Sequence, residues 1–443
     1  MNGYLNESNF RMVEEGFTTR DLLENLLVEL CQGSDQQAFF VADLGDMVRK
    51  HLHFLKALPR VKPYFPVKCN SSEGVIRLLA ELGTGFACAN KAEIARVQSI
   101  GVPADKVFYS SPCKQVAHLR YAAKKGVELM TFDNEVELSK VARSHPRAKM
   151  LLGVAPDSSP SAHPSMTFGT TLKSCQHLLE TAKEQALEVV GISFHLGSHG
   201  LEPQTFTRAV AMAQLAFEMG TELGFQMHLL DIGGGFPGTG DTRGEHLLLI
   251  QIAAAINSAL DLYFPEGCGV EILARPGRYY VSSAFTFAAS VTGREEVPAE
   301  QPGSDGRWDG WMVGWSWALL CPCSLQRPCP DPPSHSSSLQ GPLGHAEDRI
   351  ADGLELPELQ VGDWLIFEDM GAYTTTSSPP TGCPQPQVTY AMSCLAWKTI
   401  QLLQGKPPQT EEDRESICAP LSCGWEMAES LCVTPVFAPT GII

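Results

Sequence analysis

The sequence is short of basic residues. It has 33 lysines and arginines against 50 aspartates and glutamates, which gives a formal net charge of −17 at pH 7. Such a chain repels nucleic acid and anionic membrane surfaces, so neither is expected as its main partner. A basic partner or a cationic small molecule would be favoured electrostatically.

Long apolar runs are also missing. No uninterrupted apolar stretch reaches the roughly 18 residues that a membrane span requires, so we expect no integral membrane segment. Residues 1–33 contain Glu7, Glu14 and Glu15 and lack the basic start and apolar centre of a secretory signal. We therefore expect no signal peptide.

The 14 cysteines do not form the dense framework of a secreted scaffold. Scattered cysteines indicate reduced thiols, and we expect a cytoplasmic protein, with nuclear or perinuclear endomembrane association left open. Cys321, Cys323 and Cys329 give a Cys-x-Cys pair and a third thiol, but no fourth ligand follows at a familiar spacing. We predict no metal site.

Short apolar strands alternate with helix-length intervals up to about residue 280. A chain of 443 residues can hold a barrel of roughly 250 residues and a second domain. The predicted strands are 64–68, 85–88, 107–109, 129–132, 150–154, 189–194, 228–232 and 270–274. Eight such strands predict an α/β fold with a parallel (β/α)8 barrel, whose active residues lie at the C-terminal strand ends.

Three domain segments are predicted around this barrel. Residues 1–37, which include a helix over 19–32, join a β-domain; residues 38–280 form the barrel; residues 281–443 form the β-domain. Within the last, 299–338 is aberrant, with four of the seven tryptophans, three cysteines and many prolines. We interpret it as a poorly ordered replacement for normal sequence; a splice or gene-model product that folds poorly is the alternative.

One lysine stands near the C-terminal end of an apolar strand, in Pro63-Tyr64-Phe65-Pro66-Val67-Lys68-Cys69-Asn70. A partly desolvated lysine there can lose its proton and attack an aldehyde. The alternative is that Lys68 leaves the strand end and extends into solvent.

Two more stretches suit an anionic, flat ligand. Glycines in Asp231-Ile232-Gly233-Gly234-Gly235-Phe236-Pro237-Gly238 let backbone amides converge on an anion, although a tight turn also explains them. Arg278 could supply a fixed positive charge. His195 ends another barrel strand and could stack on a ring, or it could be a buried histidine with ordinary partners.

These stretches occur in one order together with Met370-Gly371-Ala372-Tyr373-Thr374. In this combination the chain resembles the eukaryotic ornithine decarboxylase family over residues 1 to about 298 and 336–443. The resemblance implies fold type III of the pyridoxal phosphate enzymes, an alanine-racemase-like (β/α)8 TIM barrel with a C-terminal β-rich domain. Residues 256–270 and 420–426 are similar to the antizyme inhibitor branch of the family, its second type in particular.

The resemblance carries the family's cofactor contacts onto this chain only in part. The cofactor-bearing lysine falls on Lys68 and the ring-stacking histidine on His195. The phosphate contacts fall on Ser198, Gly234, Gly235, Arg278 and Tyr373. Five active-site positions are lost. The family's Gly-Phe-Asp-Cys-Ala has Ala87 in place of the aspartate, an arginine is Gly153, and a glutamate is Arg275. The catalytic cysteine and aspartate of the second domain are Gly344 and His345.

The change to Arg275 bears most directly on catalysis. In the family a glutamate there keeps the pyridine nitrogen of the cofactor protonated, whereas an arginine disfavours that protonation. At an effective dielectric near roughly 20, reversing one charge a few ångströms away changes the balance by several kcal/mol. Alanine racemases of the same fold do pair an arginine with this nitrogen. We therefore expect no turnover and no cofactor requirement; the alternative is a working pyridoxal phosphate-dependent decarboxylase that makes putrescine from ornithine or agmatine from arginine.

A protein-binding element persists although catalytic positions are lost. In this family a helix-strand unit after a Pro-Cys-Lys-Gln motif binds antizyme, and residues 111–135 fit that pattern. The predicted contacts are Lys114, Gln115, Arg120, Tyr121, Lys124, Lys125, Asp133 and Glu135. From charge alone, an ordinary solvated helix face explains the basic residues equally simply. The resemblance implies an inactive homologue that sequesters antizyme, raises ornithine decarboxylase activity and polyamine uptake, and forms a weak homodimer or none.

Overall fold

The computed structural model describes residues 9–14, 16, 19–31, 37–155, 169–197, 202–238, 244–297, 308–313, 334–341, 349–375 and 386–404. Eight parallel strands close into a barrel, and a separate sheet is built from the chain on either side of it. The predicted fold class is confirmed.

The chain enters through elements that flank the barrel. These are β1 (Phe10–Val13), α1 (Thr19–Cys31), β2 (Phe39–Asp43) and α2 (Leu44–Ala57). The Asp43 carboxylate accepts hydrogen bonds from the backbone N–H groups of Gly45 and Asp46, which caps α2 at its N-terminus. Our domain division assigns β2 to the barrel segment, but β2 pairs with strands of the second sheet.

The barrel strands are almost wholly buried, as expected for strands covered on both faces. They are β3 (Val61–Pro66), β4 (Gly85–Cys88), β5 (Val107–Tyr109), β6 (Leu129–Phe132), β7 (Lys149–Val154), β8 (Glu188–Phe194), β9 (Leu229–Asp231) and β10 (Glu271–Ala274). β10 pairs with both β9 and β3 and so closes the barrel. Ala87, Phe108, Leu151, Val190 and Leu273 form a small core of their own.

Helices alternate with these strands and bury one face against them. They are α3 (Glu73–Glu81), α4 (Lys91–Ser99), α5 (Val116–Lys124), α6 (Glu135–Ser144), α7 (Leu172–Glu184), α8 (Pro203–Glu222), α9 (Gly244–Tyr263) and α10 (Arg278–Val281). Across the described parts of the chain, every helix is too short or too polar to cross a membrane.

The second sheet collects strands from both ends of the chain. Its later members are β11 (Phe285–Val297), β12 (Trp308–Val313), β13 (Ser334–Gln340), β14 (Arg349–Pro357), β15 (Trp364–Phe367) and β16 (Gln387–Ser393), followed by α11 (Cys394–Leu403). The strand order is β1-β16-β2-β11-β12-β13-β14, and β15 also pairs with β11.

Within the tryptophan-rich segment 299–338, residues 308–313 form β12 and residues 334–338 belong to β13. β12 pairs antiparallel with β11 and parallel with β13, so both of its edges are hydrogen-bonded. Trp308 and Trp311 favour a strand because aromatic residues have high β-propensity. The three cysteines of that segment lie outside the described residues, so the absence of a metal site there stays a prediction.

Gly191 is the position where the barrel tolerates a side chain least. A Cβ at Gly191 would lie 1.7 Å from the carbonyl oxygen of Leu229 on the next strand, whereas one at Gly153 would have its nearest neighbour, the Phe132 carbonyl oxygen, at 3.3 Å. We expect Gly191→Ala to lower the free energy of unfolding by about 3 kcal/mol or more, because two paired strands must separate. Gly153→Ala should cost less than about 1 kcal/mol. Urea unfolding of both variants measures this, and equal losses would contradict the steric argument.

Candidate functional site

A pocket of about 250 Å³ opens at the C-terminal ends of the barrel strands. This is the end at which barrels of this kind carry their active sites. Its lining residues include Lys68, His195, Gly234, Gly235, Arg275, Arg278 and Tyr373. Six of the predicted cofactor contacts are thus brought together; the seventh, Ser198, lies outside the described residues.

Lys68 reaches the pocket from a turn and not from a strand. β3 ends at Pro66, and Val67–Cys69 form a single 3-10 turn, which corrects the predicted strand over 64–68. The side chain is open to solvent on the pocket side, but surrounding protein and the nearby Arg275 lower the pKa of the ammonium. The carboxylate of Glu93 opposes this shift in part. Lys68 is therefore easier to deprotonate than an ordinary lysine.

The glycine run packs too closely for side chains. A Cβ at Gly234 would lie 2.9 Å from the Arg275 carbonyl oxygen, and Gly233 has a φ of +70°. The Gly234 N–H donates to Nδ1 of His195 at 3.3 Å, so the neutral imidazole carries its proton on Nε2. This arrangement leaves a cradle that a Cβ would fill, which is what an approaching phosphate needs.

Arg278 and Tyr373 complete the cradle from two different parts of the chain. The Arg278 guanidinium lies 5.0 Å from the centre of the Tyr373 ring. Tyr373 has a φ of +65°, and its N–H donates to the Cys69 carbonyl oxygen at 2.7 Å. The Asn70 amide also donates to the Gly371 carbonyl oxygen at 2.9 Å. The turn that carries Lys68 is therefore tied directly to the segment that carries Tyr373.

Arg275 forms a buried ion pair that the sequence analysis did not anticipate. Its Nε lies 3.0 Å from Oδ2 of Asp231, and its Nη2 donates to the Phe194 carbonyl oxygen at 3.3 Å. Asp231 is wholly buried and also accepts from the Ser193 hydroxyl at 2.7 Å and the Gly233 N–H at 2.9 Å. Asp231 lies at the C-terminal end of β9. Barrels of this kind carry their active residues at such strand ends, so the position of Asp231 could have identified it as a site residue.

Apart from Arg275, the described positions that lack the family's polar groups are occupied by small residues. Ala87 lines the pocket and belongs to the small barrel core. Gly153 is the residue before the end of β7, next to Phe132 of β6. Gly344 and His345 lie outside the described residues. Within the described part of the chain, no three His, Cys, Asp or Glu side chains are grouped to hold a metal ion.

The predicted partner surface lies on α5 and α6, with one correction. Gln115, Arg120, Lys124 and Lys125 are exposed, as is Glu135, while Tyr121 and Asp133 are half-buried. Lys114 does not belong to this surface, because its side chain is fully buried against Glu137. A lysine can hold such a position only when its three donors are satisfied internally.

Two lysines flank the Tyr121 ring on this surface. The ammonium groups of Lys91 on α4 and of Lys125 lie 5.0 Å and 5.9 Å from the ring centre. Val136, which is 70% exposed, adds an apolar side chain to this surface at the start of α6. We call the half-buried Tyr121 and the exposed residues Gln115, Arg120, Lys124, Lys125, Glu135 and Val136 the docking surface. It joins an aromatic ring to a cluster of positive charge.

Comparison with known proteins places the chain in a family. A family model described as pyridoxal-dependent decarboxylase, pyridoxal binding domain, matches residues 44–282. The chain belongs to this decarboxylase family. It is 52% identical over 460 aligned residues to antizyme inhibitor 2 of Xenopus laevis, with both chains covered in full. It is 46% identical over 441 residues to ornithine decarboxylase of Mus musculus, with 95% of each chain covered.

A solved relative of this decarboxylase family shares the architecture. The arginine decarboxylase of Paramecium bursaria Chlorella virus, bound to agmatine, superposes with a TM-score of 0.74 at 30% identity, covering 84% of this chain and all of that one. The glycine cradle and Arg278 supply the backbone space and the positive charge that a phosphate such as that of pyridoxal phosphate needs, and Lys68 lines the same pocket.

Two buried histidines make stability sensitive to acid. Burial lowers the pKa of His51 to about 4, and burial together with Arg275 and Lys68 lowers the pKa of His195 to about 3. The unfolded chain takes up these protons near pH 6.5, whereas the folded chain does not. The stabilisation is therefore present above about pH 6.5 and is lost as the pH falls towards 4.

We expect the free energy of unfolding to fall by at most about 1.4 kcal/mol per pH unit for each histidine across that window. Urea unfolding at several pH values checks this. His51→Gln combined with His195→Gln should flatten the profile, and His228→Gln, at an exposed histidine, should leave it unchanged. A double variant as steep as the unaltered chain would contradict the assignment.

Proposed function

We propose that this chain binds ornithine decarboxylase antizyme without decarboxylating an amino acid itself. Antizyme held by this chain is withheld from ornithine decarboxylase, which promotes polyamine synthesis and uptake. The observation that carries the proposal is the ion pair between Asp231 and the pocket residue Arg275, taken together with the exposed basic residues of α5. The full-length likeness to antizyme inhibitor 2 supports the same conclusion.

The pocket opposes decarboxylation through its charges. Pyridoxal phosphate, when bound, supplies an electron sink, and that sink is strongest when the ring nitrogen is protonated. The lining holds the cations Lys68, Arg275 and Arg278, and among the described lining residues no carboxylate is present. Asp231 lies buried and is already engaged by Arg275. These residues hold no group that would keep a proton on the ring nitrogen or bind a substrate ammonium.

The docking surface supports a partner of acidic character. Lys124 and Lys125 are exposed at the end of α5 on a chain whose overall charge is strongly negative. A local positive patch on an acidic protein selects for partners with a complementary negative patch and accelerates their encounter. The half-buried Tyr121 ring supplies the aromatic anchor that tight interfaces commonly use.

Sequestration works by mass action. A chain that occupies antizyme shifts the equilibrium of every other antizyme complex in proportion to its concentration and affinity. No turnover and no cofactor is needed for this effect. In the proposed role the chain acts in the cytoplasm and forms a weak homodimer or none.

The proposal is tested by measuring two properties on one preparation. Antizyme binding should be detected by calorimetry, and carbon dioxide release from labelled ornithine and arginine should be at least about 10³-fold below that of mouse ornithine decarboxylase, a difference of roughly 4 kcal/mol in activation free energy. Turnover within tenfold of the mouse enzyme would overturn the inactive assignment. Absence of a complex with antizyme would overturn the binding assignment.

A working pyridoxal phosphate-dependent decarboxylase is the second candidate function. It is favoured by the shared placement of Lys68, His195, the glycine cradle and Arg278 around one pocket. Titration with pyridoxal phosphate separates cofactor binding from catalysis, because the absorbance of the cofactor changes when it is covalently joined to a lysine. An absorbance that is lost in Lys68→Met, without release of carbon dioxide, would support an inactive chain with a retained cofactor site.

A further inference from the structure

A buried ion pair lies beneath the docking surface. The Lys114 ammonium lies 2.7 Å from Oε1 of Glu137, and the two side chains are 0% and 1% exposed. The same ammonium donates to the carbonyl oxygens of Thr131 at 2.5 Å and Ser111 at 3.1 Å. All three of its donors are therefore used inside the protein.

Glu137 is held just as fully. Its Oε1 also accepts the Lys114 backbone N–H at 3.1 Å, and its Oε2 pairs with Lys140. Lys140 in turn donates to the Lys114 carbonyl oxygen at 2.8 Å. The Glu137 N–H donates to the Asn134 side chain at 2.9 Å, which caps α6. The pair thus joins the loop 110–115, the end of β6 and the first turn of α6.

The loop 110–115 connects two different surfaces. Its first residues, Ser110, Ser111 and Pro112, line the pocket. Its last residue, Gln115, is the N-terminal boundary of α5 and belongs to the docking surface. Because Lys114 binds the Ser111 carbonyl oxygen and Glu137 together, the direction in which α5 leaves the barrel is fixed against α6.

We propose that the Lys114–Glu137 pair is a positioning device that sets the geometry of the docking surface without touching the partner. This rests on the proposed function, because the partner it serves is antizyme. Buried ion pairs give little net stability, since desolvation offsets their attraction, but their directional bonds can specify one arrangement among several. Here the arrangement is that of α5 relative to α6, the two helices that present Lys124, Lys125 and Glu135.

Paired replacement with apolar residues separates positioning from stability. Lys114→Met combined with Glu137→Leu leaves no uncompensated buried charge, so the thermal midpoint should change by only a few degrees. The affinity for antizyme should nevertheless fall at least about tenfold, equivalent to roughly 1.4 kcal/mol. Amide hydrogen exchange should accelerate in 111–124 and 135–140 and stay unchanged in the barrel strands. Unchanged affinity together with unchanged exchange would overturn the proposal.

Two further variants distinguish contact from positioning and cover the case in which the double variant does not fold. Lys124→Met, at an exposed position, should lower antizyme affinity without altering exchange, which separates a contact residue from a positioning residue. If the double variant does not fold, Lys114→Met combined with Glu137→Gln removes both charges and keeps the shape of the Glu137 side chain, and the same two measurements decide. Should the unaltered chain fail to bind antizyme, the proposed function falls, whereas exchange in the double variant still tests whether the pair fixes α5.

Discussion

Lys124→Glu combined with Lys125→Glu is expected to weaken antizyme binding about 100-fold. Both side chains are exposed at the end of α5, where they form the centre of positive charge on the docking surface. An exposed charge pair contributes up to about 1 kcal/mol, and reversal of a sign adds repulsion of similar size. Two reversals therefore total roughly 2–3 kcal/mol, which corresponds to the stated change in affinity. Calorimetry or surface binding measures the dissociation constant.

A charge-matched control separates local contact from overall charge. Lys56→Glu combined with Lys62→Glu changes the net charge of the chain by the same amount, at exposed residues of α2 and β3. It should alter antizyme affinity by less than about threefold, mainly through long-range steering. Raising the salt concentration should reduce the difference in antizyme affinity between the two double variants. Undiminished capture by the Lys124 and Lys125 variant would remove this face from the proposed interface.

The barrel could be predicted from the sequence because the apolar residues of each strand indicate that the strand is buried. Runs such as Met150 to Val154 and Val189 to Phe194 are apolar on both faces, and this pattern fits only strands covered on both sides. Their spacing then fixes the order of the barrel, since parallel neighbours need a helix-length connection. The predicted ends of the strands were less accurate: the strand predicted over 64–68 in fact ends at Pro66, where the 3-10 turn Val67–Cys69 begins.

The role of Lys114 could not be predicted, because it depends on a partner 23 positions away. A lysine beside exposed basic residues is expected on the surface, where most lysines lie. Only the folded barrel brings Glu137, the Thr131 carbonyl and the Ser111 carbonyl within reach of one ammonium. The same limit applies to β2, which follows the helix of the N-terminal segment but pairs with β11 and β16. The residues of a strand do not specify which distant strand it pairs with.

Arg275 was named from the sequence, but its ion pair with Asp231 was not predicted. The resemblance to the family predicts that a guanidinium replaces a carboxylate near the ring nitrogen of a cofactor. The structure adds that Asp231, wholly buried at the end of β9, holds that guanidinium in place. Arg275 is therefore part of the core of the site as well as a change in its chemistry. Reversion of Arg275 alone to glutamate would set two carboxylates side by side in a buried position, where like charges oppose each other's ionisation.

Arg275→Met is accordingly expected to lower the free energy of unfolding by about 3–5 kcal/mol, because Asp231 is left as a buried charge without its cation. Asp231→Asn combined with Arg275→Met should restore most of that loss, since the amide oxygen can still accept from the Gly233 N–H while the amide NH2 donates to the Ser193 hydroxyl oxygen, without a charge. Urea unfolding of the two single variants and the double variant gives the coupling between the residues. Additive losses would show that the pair is not coupled, and the arginine would then be removable without consequence for the pocket. A coupled pair means that Arg275 cannot be replaced alone without a loss of stability, because it also neutralises a buried aspartate.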